Sequence, residues 1–249
     1  MDLGLEGLEQ EARQRALSLV SDQLPLALTL PDSACFGNFV AGPNDELVRA
    51  VYAMASTGGD SSLYLWGGPG LGKTHLLQAA CRESGDHGLA SAYLSLRQSR
   101  EPGPAILQGF EQLDLLCVDD WQAIAGERSW ERALFDLFNH MRDCGRRLLL
   151  AGSSPPEGLG LGLPDLVSRL GWGLVYAVRP LDDAGRLQVL QLRAQGRGFE
   201  LPDETGVYLL RRYPRDLPAL CGLLERLDQA SLVAQRRLTI PFVKAVLGS

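Results

Sequence analysis

Leu63-Tyr64-Leu65-Trp66-Gly67-Gly68-Pro69-Gly70-Leu71-Gly72-Lys73-Thr74 is the stretch from which the rest of the chain is read. A short apolar run, strand-like in composition, leads into Gly67. The pattern G-x-x-x-x-G-K-T follows without a gap, and Leu76, Leu77 and Ala80 continue at helical spacing. This is the strand, loop and helix order that a phosphate-cradling loop requires. The glycines admit positive φ, so successive amide N–H groups can converge on one anion. The positive end of the new helix points at the same place. Lys73 has the reach for outer phosphates, and the Thr74 hydroxyl is suited to hold Mg2+ beside them. Gly67, Gly68, Pro69, Gly70, Leu71, Gly72, Lys73 and Thr74 are therefore expected to hold a nucleotide.

With 249 residues, the chain can bury a good core and carry a second, smaller domain. Its net charge of −6 argues against a surface that tracks a nucleic-acid backbone. Five cysteines (Cys35, Cys81, Cys117, Cys144 and Cys221) are scattered and never form C-x-x-C, which excludes a zinc framework and suits a reducing compartment. No apolar run approaches the roughly 18 residues of a membrane span, and the acidic start is no secretory signal. A cytoplasmic protein with no membrane contact is expected.

Residues 1–32 are expected to be a flexible segment. Within it, Gln23-Leu24-Pro25-Leu26-Ala27-Leu28 alternates leucines around a proline and should be extended. It is either an edge strand or a docked peptide, with Gln23 as polar anchor and Leu24, Leu26 and Leu28 entering an apolar groove of a partner. The pattern Q-L-x-L-x-L resembles the peptide with which bacterial proteins bind the replication sliding clamp. Phe39 and Val40 precede Asn44, a candidate N-cap for a helix through Leu47, Val48, Val51 and Tyr52. They are candidates for contact with a nucleotide base or, equally, for core packing.

Residues 33–179 are expected to form an α/β nucleotide-binding domain. A second strand spans Ala90–Leu96. A third, Leu113–Asp120, is nearly all apolar, as a strand buried on both faces must be. It ends in two carboxylates, of the kind that orient a metal ion (Asp119) and polarise water (Asp120). Asp120 is shorter than the Glu common at that position, which leaves self-hydrolysis open. Ser129–Arg142 reads as a helix stopped by Gly145. The fourth strand, Arg147–Ser153, puts Ser153 where a polar group can sense a γ-phosphate or simply open a turn. A short helix, Leu163–Leu170, carries Arg169 near its end, and Leu174–Val178 completes a five-stranded parallel sheet. Residues 180–249 then turn helical, with helix starts near Asp182, Pro202, Pro214 and Ile240 and with Arg215 placed to reach back to phosphates. This part reads as a small helical lid.

The order of P-loop, paired aspartates, Ser153, Ser168-Arg169, Gly171-Trp172-Gly173 and Pro214-Arg215-Asp216 resembles the AAA+ module of the bacterial initiator DnaA across roughly residues 33–249. Gln191-Leu192-Arg193-Ala194-Gln195, Arg197–Pro202 and Gln235–Lys244 resemble the Hda-like branch of that family. The resemblance implies an adaptor that binds ADP or ATP with Mg2+, docks on the DNA polymerase III sliding clamp and stimulates hydrolysis of ATP held by DnaA. Carried over by position, Thr74 and Asp119 face the metal, Arg215 the nucleotide, and Arg169 becomes an arginine finger acting in trans. Sequence-specific DNA binding is not expected, since no helix-turn-helix follows the lid; a homo-oligomer stays open. The competing reading is an autonomous AAA+ ATPase of clamp-loader or remodelling type.

Overall fold

Apolar runs that admit no solvent on either face form the centre of the sheet. The computed structural model describes residues 34–56, 58–59, 61–234 and 238–248, so Gln23, Leu24, Leu26 and Leu28 lie outside the described residues. The strands are β1 (Ser62–Trp66), β2 (Ser91–Ser95), β3 (Leu115–Asp119), β4 (Arg147–Gly152) and β5 (Leu174–Ala177), in the order β2-β3-β4-β1-β5. Every pair is parallel. All of β3 is buried, and Leu148, Leu149, Leu150 and Ala151 of β4 are covered as completely. Burying one such side chain is worth about 1.5–3 kcal/mol, which makes these strands the base of the fold.

β5, like β2, is an edge strand. Its residues alternate between half-buried and exposed, and Val175 is 40% exposed. The strand ends one residue before the expected Val178, yet the Val178 amide still donates to the Trp66 carbonyl at 2.7 Å. Gly173 fixes how closely β5 can approach. A Cβ on this residue would lie 1.9 Å from the Ser62 carbonyl oxygen.

Helices α1 (Asp45–Ser56), α2 (Lys73–Asp86), α3 (Arg128–Asp143) and α4 (Pro164–Leu170) accompany the sheet. The expected apolar spacing on α3 is realised, with Trp130, Leu134, Leu137, Phe138 and Met141 buried. Gly145, at φ 67°, returns its amide to Arg142 and stops the helix. The stretch between β2 and β3 holds two short 3-10 turns, Pro104–Leu107 and Phe110–Gln112, which seat Leu107 and Phe110 in the core.

The C-terminal part contains four further helices: α5 (Asp183–Gly196), α6 (Asp203–Arg212), α7 (Leu217–Ala234) and α8 (Ile240–Leu247). Asp182 caps α5, its carboxylate accepting from the Gly185 amide at 2.8 Å. These helices share their own core, built on Leu190, Leu209, Leu210, Leu220, Leu224, Leu227 and Val243. Leu187, partly buried, packs against it. Among the described residues no helix is long and apolar enough to cross a membrane.

Gly173→Ala should lower stability by at least about 2 kcal/mol in urea unfolding, because backbone rather than a flexible side chain blocks the new methyl group. A change under about 0.5 kcal/mol would show that β5 can move away from Ser62 freely.

Candidate nucleotide-binding site

The turns after β1, β3 and β4 leave the same edge of the parallel sheet, so residues far apart in sequence converge there. After β1, Gly70 (φ 73°) and Gly72 (φ 91°) take left-handed conformations that an L side chain rarely adopts. The loop then opens into α2. Lys73 Nζ donates to the carbonyls of Gly67 (2.7 Å) and Gly68 (2.8 Å), folding its ammonium back over the loop. Burial of that ammonium pushes its pKa down, against the pull of Asp119 and Asp120.

Thr74 Oγ1 donates to Asp119 Oδ2 at 2.6 Å, and the Tyr93 hydroxyl donates to the same oxygen at 3.1 Å. The other oxygen, Oδ1, accepts the Asp120 amide at 2.8 Å. Asp119 is 3% exposed, and burial pushes its carboxyl pKa up despite these three donors. A hydroxyl and a carboxylate brought together at one point are hard oxygen donors, the kind Mg2+ takes alongside nucleotide phosphates. Among the described residues no three His, Cys, Asp or Glu gather as a metal cage.

Asp120 adopts φ 61°, ψ 40°, the only positive φ of a non-glycine among the described residues. Aspartate tolerates this conformation better than most side chains. Its carboxylate accepts from Ser95 Oγ (3.2 Å), Arg97 Nη2 (3.2 Å) and Gln122 Nε2 (2.9 Å). Gln122 Oε1 in turn accepts the Ser153 amide at 3.0 Å. Asp120 and Ser153 are thus joined through one glutamine. Ser153 enters this link by its backbone, and its side chain is exposed.

Phe39 lies against the loop. A Cβ on Gly72 would be 2.7 Å from its ring, and the ring centroid is 5.4 Å from that of His75. His75 Nε2 lies 2.9 Å from the Cys35 carbonyl, so this nitrogen carries the hydrogen, and burial pushes the imidazole pKa down. Val40 follows, half-buried. Asn44, expected as an N-cap, bonds elsewhere. Its Oδ1 accepts the Arg179 amide (2.8 Å), while Nδ2 donates to the carbonyls of Arg179 (2.9 Å) and Ala41 (3.0 Å). The segment before α1 is thereby clasped to the chain leaving β5.

From the C-terminal helices, Pro218 meets the loop. A Cβ on Gly70 would be 2.4 Å from Pro218 Cδ. Arg215, just before α7, is exposed and lies 3.6 Å from Asp183. Arg169 is separate from this constellation. Its Nε donates to Asn139 Oδ1 at 2.8 Å, and its guanidinium lies 3.8 Å from the Trp172 ring and 5.7 Å from the Phe135 ring. None of these partners belongs to residues 67–74.

The sequence profile of the bacterial DnaA ATPase domain matches residues 30–177. The chain belongs to the bacterial DnaA ATPase-domain family. Residues 183–247 match the lid domain of Hda, so the DnaA-type sheet is followed by an Hda-type lid. Domain III of the Thermotoga maritima DnaA initiation protein is similar over 87% of this chain and 96% of its own, with 26% identity and a TM-score of 0.77. AMPPCP-bound DnaA from Aquifex aeolicus is similar over 82% and 67%, with 25% identity and a TM-score of 0.66. The Holliday junction branch migration motor RuvB of Thermotoga maritima shares the fold alone, at 21% identity and a TM-score of 0.59 over 82% of this chain and 68% of its own. The expected AAA+ architecture is therefore the one found.

Several residues in this DnaA-family frame had no signal in the sequence. Tyr93 and Gln122 become visible only once β2, β3 and β4 are aligned. Glu131, 1% exposed, accepts the amides of Gly126 (2.8 Å) and Gly162 (2.9 Å) and ties the loop before α4 to α3. Asn44→Ala should cost about 1–3 kcal/mol in urea unfolding, because it removes the buried side chain that bonds both the amide and the carbonyl of Arg179. A cost below about 0.5 kcal/mol would mean that water replaces the side chain without penalty.

Proposed function

We propose that this chain is a nucleotide-holding adaptor that acts on the ATP of another protein. On this reading Gln23, Leu24, Leu26 and Leu28 dock on the DNA-loaded sliding clamp. Arg169 then enters the ATP site of the initiator DnaA, and the hydrolysis it stimulates there lowers replication initiation. The observation that carries the proposal is the position of Arg169: half-buried at the end of α4, held by Asn139 and Trp172, and away from the loop at 67–74. A finger of this type spreads the charge of the phosphoryl-transfer transition state.

The chain's own site serves to hold adenine nucleotide. Lys73 and the loop amides bind the phosphates, and Thr74 and Asp119 hold Mg2+, which neutralises phosphate charge when bound. Phe39 and Val40 flank the base, Ser153 stands at the γ-phosphate end, and Arg215 reads the phosphates from the lid. Asp120 fits slow self-hydrolysis, since Ser95, Arg97 and Gln122 already occupy its carboxylate. An autonomous ATPase would need that carboxylate free to polarise water.

Arg169→Ala should reduce stimulated hydrolysis of DnaA-bound ATP by roughly three orders of magnitude or more, as for other fingers; a loss under tenfold would remove the finger assignment. In a clamp pull-down, the double change Gln23→Ala, Leu24→Ala should abolish retention of the full chain. Retention equal to that of the unaltered chain would remove the peptide assignment.

A further inference from the structure

Trp172 is 55% exposed, the most solvent-open large apolar side chain among the described residues, and the packing of the sheet does not account for it. Indole that stays in water forgoes the stabilisation it would gain by burial. What the ring does instead is receive charge. The Arg169 guanidinium lies 3.8 Å from its centroid, well inside cation–π range, and the Arg142 guanidinium lies 5.1 Å from the same ring. Arg142 is bonded to Asp143 at 2.6 and 3.0 Å, so its charge is compensated and Arg169 can share the ring with it.

We infer that Trp172 is a positioning residue that holds the Arg169 guanidinium in the orientation in which it is presented; this rests on the finger role given to Arg169 above. The physical basis is entropic. An arginine on its flexible stem has side-chain freedom to lose when it meets a transition state. Two contacts remove that freedom beforehand. The hydrogen bond from Nε to Asn139 fixes one edge of the guanidinium, and the indole fixes its plane. The glycines on either side, Gly171 and Gly173, place the indole in the short turn between α4 and β5, and Gly173 cannot carry a side chain where β5 meets Ser62. The ring therefore stands on a backbone that has little room to shift.

The test uses the full chain and two readouts. First, the side-chain Nε–H resonance of Arg169, assigned with Arg169→Ala, should be ring-current shifted and protected in the unaltered chain. Trp172→Ala should move it to the position of a free arginine, and Trp172→Phe should keep most of the shift. An unchanged resonance in Trp172→Ala would overturn the inference. Second, in stimulated hydrolysis of DnaA-bound ATP, Trp172→Ala should lower the maximal rate by roughly threefold to thirtyfold, the range of one cation–π contact. The half-saturating concentration of this chain should stay within twofold, and Trp172→Phe should recover most of the rate. A loss confined to the half-saturating concentration would make Trp172 a partner contact and refute the positioning role, as would an unchanged rate. Arg169→Ala separates the two claims. If it stimulates fully, the finger reading fails, and the resonance alone decides whether Trp172 holds Arg169.

Discussion

Thr74 and Asp119 are 45 residues apart in sequence and 2.6 Å apart in space, and the arrangement that joins them organises the rest of the structure. Thr74 opens the helix that follows β1 and Asp119 ends β3, and these two strands are not neighbours. β4 is inserted between them, so the sheet must be parallel, in register and buried on both faces before the two groups can meet. A buried carboxylate is costly unless donors surround it. Asp119 receives three, from Thr74, Tyr93 and the amide of Asp120, and each comes from a different element.

Two arginines differ in what holds them. Arg97 pairs with Asp120, whose carboxylate also accepts from Ser95 and Gln122. Arg169 instead has an amide oxygen and aromatic rings as partners. Among the described residues no carboxylate pairs with it. In the proposed function this asymmetry separates holding a nucleotide from promoting hydrolysis of one bound elsewhere.

The strands and the phosphate loop were legible in the sequence because both signals are local. A run such as Leu115-Leu116-Cys117-Val118 has one stable environment, and G-x-x-x-x-G-K-T before a helix has few other uses. The helices of the lid were legible from proline, aspartate and leucine spacing. The clasp of Asn44 was not, since its Arg179 partners are backbone groups 135 residues away that no side-chain pattern announces. The pairing of Asp120 with Arg97 and Gln122 was hidden for a related reason. It depends on a backbone conformation, φ 61°, that the residue type permits but does not demand. Trp172 was visible only as part of Gly171-Trp172-Gly173, and no spacing in the sequence announces the two guanidinium groups that lie within 6 Å of its ring.

Single-turnover hydrolysis with labelled ATP placed on one protein at a time is the most direct test of the central claim. In one arm the label is loaded on DnaA, in the other on this chain, and both are mixed with DNA-loaded clamp. The account predicts rapid loss of label from DnaA, dependent on Arg169, with the ATP on this chain turning over far more slowly. Rapid turnover of this chain's own ATP, with DnaA-bound ATP unaffected, would contradict it.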